Sequence, residues 1–194
     1  MEKNRQIRSI ASEFKTREAG EDKYIEGYFS VFDSEYELWP GAVEKVAPGA
    51  FSKTLGNDIR ALVNHDTTLV LGRCKAGTLE LKEDSHGLYG RIKINQDDTD
   101  AMNLYARVQR GDVDQCSFGF CIREEDFILN DDGSCEWILK DVDLYEVSVC
   151  TFPAYESTAV AAREKNLADI EKRKLEKWRA DSRAKLERRK TNGN

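Results

Sequence analysis

The sequence predicts an α+β fold made mostly of strands, with two short helices and a charged, partly helical C-terminal tail. Three observations lead there. Runs of alternating apolar and polar residues recur through the body of the chain, as half-buried strands require. One segment, TDAMNLYARVQRG, instead carries Met102, Tyr105 and Val108 at helical spacing. The charge also changes sign near Ala162: residues 163–194 hold 12 Lys and Arg against 6 Asp and Glu, so the overall −6 leaves residues 1–162 at −12. The chain is therefore divided into a domain over 1–162 and an extension over 163–194.

Taken in order, the N-terminal MEKNRQIRSIASEFKTREAG is charged throughout, without the apolar core of a secretion signal, and no run of 18 apolar residues follows it. A soluble, unsecreted protein without membrane contact is expected. KYIEGYFSVFD sets Tyr24, Glu26 and Tyr28 against Ile25, Gly27 and Phe29, then enters a loop containing Trp39-Pro40-Gly41. PGAFSKTL reads as one or two helical turns. DIRALVNHD, TLVLGRC, GTLELKED and GLYGRIKIN read as strands, the last two joined by a tight turn at Ser85-His86-Gly87. The TDAMNLYARVQRG helix stops at Gly111, directly before the strand GDVDQCSFGFCI. WILKDVDLYEVSVCTF closes the body as two further strands. The tail is rich in helix formers, but Leu167, Ile170, Leu175, Trp178 and Leu186 are too sparse for a continuous apolar seam.

Several function classes drop out. The five cysteines show no C-x-x-C spacing and mostly sit in apolar runs, which points to packed thiols rather than disulfides or zinc. With two histidines and neither a P-loop nor a G-x-G-x-x-G, no metal and no cofactor is expected. Acidic residues interspersed in the basic tail argue against nucleic acid and for a solvated helix, with attachment to an acidic partner as the second option.

In GDVDQCSFGFCI, alternation places Cys116, Phe118, Phe120 and Ile122 on one face and Ser117, Gly119 and Cys121 on the other. The second face carries a hydroxyl beside a glycine, and a glycine inside a strand marks close approach by another backbone or a ligand. Ser117 is thus either a nucleophile with room in front of it or a serine facing solvent or a tight turn. A nucleophilic serine needs a base. His86 lies in a hairpin turn and reads as exposed and inert, whereas His65 ends ALVNHD, where an apolar strand emerges into a loop; a backbone-bonded structural histidine is the alternative there. A carboxylate would complete the set by holding the imidazole. In DVDLYEVSVC, Val147 and Val149 face one way and Glu146, Ser148 and Cys150 the other, so Glu146 either meets solvent or has a partner; Asp143 and Asp141 compete with it.

The ordered set IEGYFSVFD, PGAFSKTL, NHD, SFGF and EVSVCTFPAYESTAV, spanning about Lys23 to Arg163, resembles the prohead (capsid maturation) serine proteases of tailed bacteriophages, relatives of the herpesvirus assemblins. The resemblance implies a mainly antiparallel, β-barrel-like core with flanking helices, and it matches His65 and Ser117 to the catalytic histidine and serine. Assemblins use a second histidine as third member. None follows His86 here, and Glu146 is assigned that place, with Asp143 as its rival. The implied function is a serine endopeptidase that cleaves scaffolding segments from the major capsid protein, and itself, inside the immature procapsid in the host bacterial cytoplasm. Self-association is left open. Arg163 is a supporting candidate at the end of the match, against the reading of an arginine at a helix start. The alternative function is a non-catalytic β-rich capsid or tail assembly module. The tail, outside the match, is expected either to be trimmed by the protease or to be kept as a docking arm.

Overall fold

The computed structural model describes residues 5–11, 14–152, 170–172 and 174–183. Along them run β1 (Gln6–Ala11), β2 (Lys15–Ala19), β3 (Asp22–Val31), β4 (Tyr36–Trp39), β5 (Ala42–Val46), β6 (Arg60–Val63), β7 (Asp66–Arg73), β8 (Leu79–Glu83), β9 (Gly87–Ile94), α1 (Thr99–Arg110), β10 (Gln115–Leu129) and β11 (Cys135–Cys150). The chain divides into two compact units, Met1–Ala159 and Val160–Asn194. In the second, residues 170–172 and 174–183 are helical. Arg163 and the boundary expected at Ala162 lie outside the described residues.

The first unit is α+β, but its described strands form two sheets rather than a closed barrel, and they are not all antiparallel. One sheet runs β1-β10-β11-β5-β4, with β6 also on β11 and β7 on β6; the other runs β2-β3-β9-β8. The long β11 organises the first sheet. Its start pairs parallel with β5, Cys135 to Leu139 against Ala42 to Val46. Its end pairs parallel with β6, Glu146 to Val149 against Arg60 to Val63. The whole of β11 lies antiparallel to β10. Ile25, Phe29, Leu88 and Ile92 from one sheet and Phe118, Phe120, Val147 and Val149 from the other belong to the same buried core, closed by Leu104, Tyr105 and Val108 of α1. Phe51 stands edge-on to Phe118 at 5.5 Å between ring centres.

Helix α1 follows its local signals. The Asp98 carboxylate accepts hydrogen bonds from the Asp100 and Ala101 amides at its start, and Gly111, at φ +84°, ends it in the left-handed conformation. Elsewhere the segments differ from expectation. PGAFSKTL forms successive tight turns, with bonds such as Ser52 N–H to the Gly49 carbonyl and Thr54 N–H to the Phe51 carbonyl. WILKDVDLYEVSVC is part of one strand instead of two, its pairing absorbed by register shifts opposite Glu124. The Trp39-Pro40-Gly41 loop is the turn of a β4–β5 hairpin. The charged N-terminus supplies β1 and β2. In β1, Arg8 is 2% exposed because Glu44 of β5, itself 2% exposed, receives its guanidinium through Nη2 at 2.9 Å and through Nε. Burying that charge is tolerable only because the pairing is two-pronged.

The β6–β7 hairpin is tied at its open end by Asp58. Its carboxylate accepts from Arg73 Nε at 2.8 and 2.9 Å, from Arg73 Nη2, and from the Lys75 amide at 3.3 Å. The Arg73 hydrogen bonds hold the Asp58 carboxyl down at about 2, from 3.8. A carboxyl depressed by folding contributes stability above its unfolded value and loses it as pH falls through its folded value. Asp58→Asn is therefore expected to lower the melting temperature at pH 7, with the deficit closing between about 4 and about 2. Thermal melts across that range check it.

Candidate active site

His65 sits where the backbone itself is unusual. Asn64 and His65, at φ +50° and +62°, form the two-residue turn between β6 and β7, with Val63 opposite Asp66. Two consecutive positive φ values are those of a type I′ hairpin turn, which usually takes Asn-Gly. A histidine there costs on the order of 1–3 kcal/mol, strain that persists only where surrounding bonds enforce it. They do. The Asn64 amide donates to the Val149 carbonyl at 3.1 Å, and the Thr151 amide donates to Asn64 Oδ1 at 2.9 Å. The His65 amide donates to Ser148 Oγ at 3.2 Å. The turn is thereby fastened to the end of β11.

This brings the imidazole onto the polar face of β11. His65 Nδ1 lies 2.7 Å from Glu146 Oε1. A carboxylate only accepts, so the bond places the proton on Nδ1 and leaves Nε2 as the basic nitrogen of the neutral ring. Glu146 Oε2 accepts from Ser148 Oγ at 2.7 Å. The His65 and Glu146 side chains are 23% and 14% exposed, so the pair is reached from solvent through the imidazole. The rival carboxylates are engaged elsewhere. Asp143 takes Arg123 Nη2 at 3.0 Å and the Tyr145 hydroxyl at 3.2 Å, and Asp141 takes Lys53 at 2.8 Å.

Ser117 lies on β10 directly opposite Ser148, with Gly119 opposite Glu146. Directly opposed residues share a face, so serine, glycine, glutamate and the docked imidazole occupy one side of the sheet. Contrary to the solvent-facing alternative, Ser117 is fully buried, flanked by Ser9 of β1 on its other side. Its Oγ donates to the Arg8 carbonyl at 2.8 Å. Among the described residues no hydrogen bond joins it to His65. His65 Nε2 has Cys150 Sγ beside it at 3.9 Å. Burial, followed by the nearby Glu146 charge, pushes the Cys150 thiol up to about 12, which keeps it protonated and unreactive near neutrality. His86 is exposed, its ring edge-on to Tyr28 at 4.5 Å.

Gly119 has a specific reason to be glycine. A Cβ there would stand 3.1 Å from Glu146 Cδ and closer still to Oε1. The approach anticipated at this glycine is thus made by the Glu146 carboxylate. Gly119→Ala is expected to displace that carboxylate from His65 and lower the cleavage rate roughly 10- to 100-fold, as small misplacements do. Steady-state kinetics beside a melting curve check that the rate falls while the fold persists.

Sequence reasoning passed over two contributors, Asn64 and Ser148. The signal for Ser148 was present, since it shares the Glu146 face of DVDLYEVSVC. The signal for Asn64 was the dipeptide Asn-His between strand-like runs, a hairpin turn with histidine in the glycine place. Among the described residues no cluster of three or more His, Cys, Asp or Glu could hold a metal ion, and no helix is long and apolar enough to cross a membrane.

Comparison with known proteins identifies the family of the chain. The family model described as caudovirus prohead serine protease matches residues 11–173. The prohead protease of Enterobacteria phage HK97 is 35% identical over 180 residues, 88% of this chain and 73% of the relative. That of Escherichia phage T5 is 27% identical over 194 residues, 86% and 85% of the two chains. Among solved structures, the bacteriophage T4 capsid assembly protease has the same fold at a TM-score of 0.53 and 13% identity, covering 79% of this chain and 100% of its own. The chain belongs to the caudovirus prohead serine protease family and is a serine protease.

Proposed function

We propose that Ser117, His65 and Glu146 carry out acyl transfer at peptide bonds of the phage capsid protein's scaffolding segment, and of this chain itself, inside the immature procapsid in the host cytoplasm. The observation that carries the reading is the 2.7 Å contact between His65 Nδ1 and Glu146 on the face that also bears Ser117. Ser117 Oγ releases the Arg8 carbonyl, gives its proton to His65 Nε2 and bonds the scissile carbonyl carbon. His65 returns the proton to the leaving amine, which departs as the C–N bond breaks. Water then attacks the acyl-serine, giving a proton to Nε2; as the bond from the acyl carbon to Oγ breaks, Nε2 returns that proton to Oγ, which restores the Ser117 hydroxyl and releases the carboxylic acid. Glu146 holds Nδ1–H and stabilises the imidazolium formed in each half. Backbone N–H groups supply the oxyanion site.

Family membership and the names of the relatives support a capsid-protein substrate. The tail, of opposite net charge to the body and exposed at most of its described positions, is a segment that a protease in the same chain meets at high effective concentration. The test is co-expression with the capsid protein, comparing intact masses with those from Ser117→Ala. Both the capsid protein and residues 163–194 of this chain are expected to be trimmed only where Ser117 is present. An uncut capsid protein would overturn the assigned substrate. A cut capsid protein beside a full-length protease would overturn self-trimming and leave the tail as a docking arm.

A further inference from the structure

We infer that Ser148 is a positioning residue for the His65–Glu146 pair, its single hydroxyl fixing both members at once. This rests on the catalytic reading above and deepens it. Ser148 Oγ accepts the His65 backbone N–H at 3.2 Å and donates its proton to Glu146 Oε2 at 2.7 Å. The first bond holds the histidine in the left-handed conformation that aims its ring at β11. The second fixes the carboxylate plane, so that Oε1 is the oxygen left for Nδ1. A hydroxyl is the smallest group that accepts and donates at one atom. Ser148 itself is fully buried, so its hydroxyl has no solvent to turn to. It also faces Ser117 across the strand pair, yet its hydroxyl is fully engaged on its own side and does not compete for the nucleophile.

The surrounding ionisable groups do not supply this function. Arg60 on β6 pairs with Asp58 at 3.6 Å, Asp66 on β7 accepts from Thr68, and the Cys150 thiol stays protonated. A purely structural serine would make the same bonds, so the test has to separate holding the fold from holding the pair. Ser148→Ala is expected to lower kcat roughly 10- to 100-fold at nearly unchanged KM. Ser148→Thr keeps the hydroxyl and is expected to recover most of that. Ser148→Cys nearly keeps the volume, but its thiol bonds weakly, and it is expected to lose as much as alanine. In a double-mutant cycle, Ser148→Ala should cost little once Glu146→Gln is present, because it acts through that carboxylate. Additive losses, or full activity in Ser148→Cys, would overturn the inference.

A second readout does not depend on cleavage. In Ser117→Ala protein, the Nδ1–H resonance of His65 at fixed pH should be displaced by Ser148→Ala, because Nδ1 bonds the carboxylate that Ser148 orients, while the His86 ring signals stay in place. An unmoved His65 would overturn the inference. A displaced His65 in a protein whose parent cleaves nothing would overturn the catalytic reading and leave the Ser148 assignment standing.

Discussion

Ser117→Ala and His65→Ala are each expected to abolish peptide cleavage, by roughly 10⁶-fold in kcat if they act as one unit, with the double variant no worse than either. The fold should survive both. Ser117→Ala removes one hydrogen bond, to the Arg8 carbonyl, at a cost of about 1 kcal/mol. His65→Ala leaves the turn held by the Asn64 bonds to Val149 and Thr151. His86→Ala, which removes only a ring contact with Tyr28, should cleave as the parent does. The measurement is turnover of a capsid-protein substrate beside a melting curve for each variant. Retained cleavage in either Ser117→Ala or His65→Ala would sink the assignment.

Glu146→Gln is expected to lower the rate by roughly 10²–10⁴ without removing Ser117 reactivity, since an orienting carboxylate contributes less than nucleophile or base. The amide keeps the shape of the side chain but loses its charge. If it turns its NH2 toward Nδ1, it also forces the proton onto Nε2, the nitrogen that must accept from serine. Asp143→Asn is the matched control. It weakens the bond to Arg123 at 3.0 Å, away from His65, and should leave the rate nearly unchanged. Should Asp143→Asn carry the large loss and Glu146→Gln none, Glu146 is not the third member.

What the sequence made legible were elements whose signals are local. The β8–β9 hairpin shows in its alternation, and α1 shows in its spacing with Gly111 after it. What it hid were strands whose stability lies in distant partners. β1 reads as a charged terminus until Glu44, 36 residues away, buries Arg8. β4 and β5 look like loop because Trp39-Pro40-Gly41 is more conspicuous than the short strands around it. The long β11 looks like two strands because Lys140 and Asp141 interrupt its apolar alternation at the register shift opposite Glu124. The two-sheet arrangement was hidden for a related reason: parallel pairing of β11 with β5 and with β6 joins residues 93 and 86 positions apart, Cys135 with Ala42 and Glu146 with Arg60, which periodicity does not reveal. At the site, alternation was enough to put Ser117, Gly119, Glu146 and Ser148 on polar faces. It did not choose among Glu146, Asp143 and Asp141. That choice depends on an Asn-His turn with two positive φ angles, which swings the imidazole over β11.

The central claim, that His65 activates Ser117 as the nucleophile, is tested most directly by a serine-reactive fluorophosphonate. The covalent adduct forms only if the hydroxyl can leave the Arg8 carbonyl and be deprotonated. Intact-mass and peptide mapping of the treated protein should show one adduct, on Ser117, lost in Ser117→Ala and in His65→Ala. A cleavage-competent protein that takes no label on Ser117, or takes it equally without His65, would contradict the account.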